Sequence, residues 1–128
     1  MRWIVVSALL VAVSAGPAIA WGQLAGAGDA GRGAQTYETR CGGCHSVETD
    51  RVGPRHRGVV GRRAGSVDGY AYSDALKASR ITWDAALLDR WLTDPEALVP
   101  GQRMGYRLSD AQARADVIAF LQALNPVR

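Results

Sequence analysis

Both cysteines of this 128-residue chain stand in one pentapeptide, Cys41-Gly42-Gly43-Cys44-His45. A C-x-x-C-H run is the sequence form of covalent haem attachment. Thiols three positions apart reach one side of a helical turn, where each adds to one vinyl group of a porphyrin. The histidine that follows is then held under the iron. Neutral imidazole suits iron, and two tethers fix which face of the macrocycle His45 addresses. The pentapeptide therefore asks for a chain folded around a flat cofactor.

Three other readings of these residues compete. A thiol redox site belongs in a βαβ setting, and no alternating strand-like stretch of useful length occurs. Structural zinc needs four ligands, and Cys41, Cys44, His45 and His56 are the only Cys and His residues available. His56 would have to complete that set. A disulfide between Cys41 and Cys44 closes too small a loop to stabilise much.

The start of the chain reads as a leader. Met1-Arg2 is basic, Trp3 to Ala15 is apolar apart from Ser7 and Ser14, and Ala18-Ile19-Ala20 follows Gly16-Pro17 as a small-x-small cleavage pattern. Residues 1–20 are thus expected to be a secretory signal peptide. An uncleaved anchor is the alternative, but the apolar stretch falls short of the ~20 residues a membrane span needs. Export to the periplasm suits thioether chemistry, because the thiols must be kept reduced there until haem arrives.

After cleavage, 14 basic residues face 12 acidic ones, a formal charge of +2. Two haem propionates bring this near zero. Lys77 is the only lysine, and Arg55, Arg57, Arg62, Arg63, Arg103 and Arg107 flank the stretches assigned to the haem. No basic helix or aromatic-interleaved run suggests nucleic acid. A patch that steers an acidic redox partner fits better.

Residues 21–28, rich in Gly and Ala, read as a loose lead-in, and residues 29–128 as one domain. Asp29 caps a helix running to Arg40, in which Gly33 implies close approach of a second helix. Ser73 caps a short helix through Ala78, and Thr82 caps the next, with Leu87, Leu88, Trp91 and Leu92 at helical spacing. Asp94-Pro95 ends it. Val99 to Tyr106 is an extended loop. Ser109-Asp110-Ala111-Gln112 is a capping box for a last helix with Val117, Ile118, Phe120, Leu121 and Leu124 on its apolar face.

Helices joined by glycine-rich loops, without strands or repeats, make a small all-α protein. Fifteen glycines and few large apolar side chains give a thin core. The haem supplies the missing apolar surface, so the holoprotein should fold and the apoprotein should be loose or unfolded.

The second axial ligand decides what the iron does. Met104 is the only methionine besides the initiator, and it lies between Arg103 and Gly105 in the Pro-Gly-bounded loop. Placement alone leaves ligation and gap filling both open. His56 is too near His45 in sequence to reach the opposite face. Gly53-Pro54 marks a turn, and the Pro54 carbonyl is free to accept the second ring N–H of His45.

Taken together, the mature chain resembles a class I cytochrome c of the bacterial cytochrome c2 and mitochondrial-like type. Beyond the pentapeptide, the resemblance rests on Gly33 and Tyr37, Gly53-Pro54, Gly61-Arg62-Arg63-Ala64-Gly65, Gly69 to Ala75, Ile81-Thr82-Trp83, Pro100 to Met104, and the closing helix around Phe120. It implies one covalent haem on Cys41 and Cys44, His45 and Met104 as iron ligands, and Pro54 as the acceptor from His45. Tyr72, Trp83 and Arg62 resemble groups that hydrogen-bond or neutralise the buried propionate. Tyr106 resembles the aromatic beside the haem. Three positions depart from the pattern: Trp91 replaces a frequent tyrosine, Leu76 a frequent asparagine and His56 a common leucine. The usual lysine collar is largely absent or arginine.

With both axial positions filled, geometry changes little on electron transfer and no site is left for oxygen. The expected protein is a monomeric periplasmic electron carrier, not an enzyme, working between a respiratory or dehydrogenase complex and a terminal oxidase or reductase. It would meet the membrane only through its partners. The alternatives are a haem enzyme or gas sensor with a displaceable Met104, and a dedicated subunit of a larger complex.

Overall fold

Asp29 accepts the backbone N–H of Arg32 and starts the first helix, α1, Ala30–Arg40. In the computed structural model, which describes residues 26–125, four further helices follow. These are α2, Asp74–Ala78; α3, Ala85–Thr93; α4, Pro95–Leu98; and α5, Ala111–Ala123. Among the described residues the only β pairing is an isolated bridge between Arg63 and Thr82. The proposed signal peptide lies outside the described residues.

The frame is the crossing of α1 and α5, set by Gly33. A Cβ at Gly33 would stand 1.9 Å from the Asp116 carbonyl oxygen and 2.9 Å from Phe120 Cβ, so only glycine lets the two backbones meet. A buried charge locks the crossing. Asp116, its side chain 6% exposed, accepts from Arg32 Nε at 2.8 Å and Nη2 at 2.9 Å, and from the Asp29 backbone N–H at 2.8 Å. Such a carboxylate is tolerated inside because each of its oxygens has a partner.

Several expected boundaries move, each for a local reason. Thr82 does not cap α3. The 61–64 loop pairs with residues 81–83 through Gly61 N–H to Trp83 O, Trp83 N–H to Arg62 O and Ala64 N–H to Ile81 O. That keeps Thr82 extended, and Asp84 becomes the cap, accepting from Leu87 N–H at 2.7 Å. Asp94 ends α3 but also starts α4, with Pro95 at its first position, where a missing N–H costs nothing. The cap of α5 is Asp110 rather than Ser109.

Gln112, freed from the capping box, turns to the stretch before α1. Its Oε1 accepts from Gly26 N–H at 2.6 Å and its Nε2 donates to Ala27 O at 3.4 Å. The described end of the expected lead-in is therefore fastened to α5, where a Cβ at Gly28 would sit 2.2 Å from Ala115 O. On its other side α5 buries Val117, Ile118 and Leu121 against Tyr37, Leu88 and Trp91. This core forms one wall of a large internal cavity.

Candidate functional site: a haem cavity

The chain leaves α1 at Cys41 in a tight turn. Cys44 N–H and His45 N–H both donate to Cys41 O, at 3.0 and 2.9 Å, which brings both thiols and the His45 ring to one side. All three line a cavity of about 870 Å³, within the ~300–1,000 Å³ usual for cofactor sites. Pro54, Arg62, Tyr72, Trp83 and Met104, the other residues singled out in the sequence, line the same cavity, as does Tyr106.

His45 Nδ1–H donates to Pro54 O at 2.8 Å, which leaves Nε2 as the bare ring nitrogen. Gly53 lets this happen, since a Cβ there would fall 2.1 Å from His45 Cε1. Burial holds the His45 pKa down, opposed by the Pro54 hydrogen bond, so the ring is neutral and competent as a ligand. Both cysteines are free thiols. Burial first, then Cys44, pushes Cys41 up to about 11, which denies it the thiolate that disulfide exchange uses.

The zinc reading fails on geometry. His56 stacks on His45 with ring centroids 4.1 Å apart and planes 21° apart. Lone pairs lying in two nearly parallel ring planes cannot converge on one tetrahedral centre.

Met104 is held in the cavity lining by its loop. Glu96 accepts from Gly101 N–H at 2.9 Å and Gln102 Nε2 at 3.3 Å, and Gln102 Oε1 in turn accepts from Met104 N–H. Leu108 N–H donates to Leu92 O at 2.8 Å and ties the end of the loop to α3. Trp91 and Trp83 meet edge to face at 5.3 Å in the wall.

Arg62 reaches back with its guanidinium to Arg57 O at 3.0 Å and Arg55 O at 2.8 Å, and burial lowers its pKa. The six arginines expected around the site divide. Arg55, Arg57 and Arg107 are paired with Asp50, Glu48 and Asp94. Arg62, Arg63 and Arg103 line the cavity with no carboxylate partner among the described residues, and Arg40 and Arg51, not anticipated, join them.

A cavity of this volume, lined by two cysteines, an imidazole with a bare ring nitrogen and a thioether, suits a covalently held haem. The Cytochrome c family model matches residues 30–125. The chain belongs to the cytochrome c family. Cytochrome c2 of Rhodomicrobium vannielii is 47% identical over 111 residues, covering 83% of this chain and 88% of that one. Cytochrome c2 of Blastochloris viridis is 36% identical over 129 residues, covering 98% of this chain and 95% of that one. Among solved structures, cytochrome cH from Methylobacterium extorquens superposes with a TM-score of 0.71 at 47% identity, over 75% of this chain and 99% of that one. This cytochrome c is accordingly a monohaem electron carrier; its family implies a covalent c-type haem, and two cysteines, Cys41 and Cys44, are present. Among its described residues no helix is long and apolar enough to cross a membrane.

Proposed function

We propose that this cytochrome carries one electron at a time in the periplasm on a haem bound through Cys41 and Cys44 and ligated by His45 and Met104. Its donor is a respiratory or dehydrogenase complex and its acceptor a terminal oxidase or reductase. The observation that carries the reading is the fixed tautomer of His45: Pro54 takes Nδ1–H, which leaves Nε2 bare on a residue that lines the same cavity as Met104.

Bound haem supplies reversible one-electron chemistry at its iron. The protein does the rest by holding. His45, held through Pro54, and Met104, whose backbone N–H is held by Gln102, would both bind the iron, leaving no open position for a substrate or gas, as suits a carrier rather than an enzyme. The apolar walls built by Trp83, Trp91 and Leu88 keep water out and disfavour the extra positive charge of the oxidised state, which raises the potential. Arg62, Tyr72 and Trp83, in the same lining, would hold the haem propionates with their polar tips. Arg40, Arg51, Arg63 and Arg103, exposed in the cavity lining and without a carboxylate partner among the described residues, give the site a positive face for an acidic partner protein.

The alignment with Blastochloris viridis cytochrome c2 covers 98% of the chain, leader included, which supports export. The test is carbon monoxide binding by the reduced protein at neutral pH. The carrier reading predicts slow, weak binding and electron delivery to several acceptors by a monomer. Rapid, tight binding would instead support an enzyme or sensor with a displaceable Met104.

A further inference from the structure

His56 lines the haem cavity yet takes no part in holding or ligating the haem as described above. Its Nδ1 is hydrogen-bonded to Tyr37 Oη at 3.0 Å, and its ring lies on the His45 ring. Tyr37 is anchored in turn: it is 6% exposed, sits on α1 and packs against Phe120 of α5 with ring centroids 5.2 Å apart. The His56 backbone N–H donates to Ser46 O at 3.1 Å, next to the attachment motif. A continuous chain of contacts thus runs from the α1–α5 crossing through Tyr37 and His56 to the face of His45. Pro54 holds the same ring by its edge.

A single hydrogen bond at Nδ1 leaves an imidazole free to rock about that contact. A flat group lying against its face removes this freedom. Leucine could fill the volume of His56, but it could neither bond to Tyr37 nor present a flat ring. We propose that Tyr37 and His56 are a positioning pair for the axial imidazole, with the Tyr37 hydroxyl locking the His56 ring and the His56 ring fixing the plane of His45. This rests on His45 being the iron ligand. The plane of an axial imidazole selects which iron d orbitals it overlaps, so it sets the magnetic anisotropy of the oxidised iron and contributes to its potential.

The test is electron paramagnetic resonance of the oxidised holoprotein, with the reduction potential measured alongside, for the parent, Tyr37→Phe, His56→Leu and the double variant. Tyr37→Phe removes only a hydroxyl whose hydrogen bond is to His56. It is expected to keep the haem and the low-spin absorption spectrum but to shift or broaden the g values. His56→Leu is expected to shift them further, and the double variant no further than His56→Leu alone, because the hydroxyl acts only through His56. Unchanged g values in Tyr37→Phe, or two independent and additive shifts, would overturn the proposal. Should His56→Leu fail to fold, Tyr37→Phe alone still decides. A parent protein without a low-spin, imidazole-ligated signal would instead bring down the assignment of His45 and the proposal with it.

Discussion

Gly33 of α1 and Asp116 of α5 touch backbone to backbone, so that a single added methyl group would overlap the Asp116 carbonyl. Gly33→Ala is therefore expected to push the helices apart and destabilise the holoprotein by about 1–3 kcal/mol, the cost of forcing extra atoms into a packed interior. A urea melt followed by circular dichroism checks this; a midpoint equal to that of the parent would deny the close approach.

The Asp116 carboxyl is held well below the usual carboxylate range, first by the side-chain hydrogen bond from Arg32 and then by the backbone N–H of Asp29. A depressed pKa contributes stability that is complete above the unfolded value of about 3.9 and is lost as pH falls through the folded one. The stability of the parent should therefore decline below about pH 4. Asp116→Asn should be less stable at neutral pH and flatter across the acid range. Urea midpoints measured against pH show either this pattern or its absence.

Removing the haem removes the surface the cavity walls are built to cover. Cys41→Ala with Cys44→Ala, made without attached haem, should lose the cooperative thermal transition and much of its helical circular dichroism. A native-like melt would show that the protein core suffices by itself.

Arg62 is tied to the carbonyls of Arg55 and Arg57 and faces the cavity. Arg62→Gln should retain the haem with an unchanged low-spin spectrum while moving the potential downward, because a fixed positive charge near the haem favours the reduced state. Voltammetry reads the shift, and an unaltered potential would remove Arg62 from the electrostatics of the site.

Much of this site was legible in the sequence because covalent attachment forces its members into one place. The pentapeptide named three residues, and Met104 was conspicuous as a lone thioether outside any periodic apolar segment. Local signals also placed the caps at Asp29 and Ser73. What escaped depends on contacts between distant segments. Thr82 looks like a helix cap until residues 61–64 pair with the strand-like stretch around it. Asp94-Pro95 reads as a stop, yet the same pair is a good start for α4. Gln112 fits a capping box, but Gly26 and Ala27 claim it from 85 or more positions away. The sequence offered His56 as a fourth zinc ligand, set it aside as a second iron ligand and marked it as a departure from the family's leucine; its union with Tyr37 and His45 exists only in three dimensions.

Replacing the thioether tests the ligand set functionally. Met104→Ala should open the iron to carbon monoxide and lower the potential, axial ligands being among the groups that spread haem potentials over about 0.8 V. An unchanged potential would mean that Met104 is not a ligand.

The most direct measurement is the proton magnetic resonance spectrum of the reduced holoprotein made without residues 1–20, in which Met104 is the sole methionine of the native sequence. A methyl group on the axial sulfur lies over the porphyrin ring current, so one three-proton resonance should appear far upfield of all ordinary methyls and vanish in Met104→Ala. A reduced protein with no such resonance would contradict the clamping of the iron between positions 45 and 104.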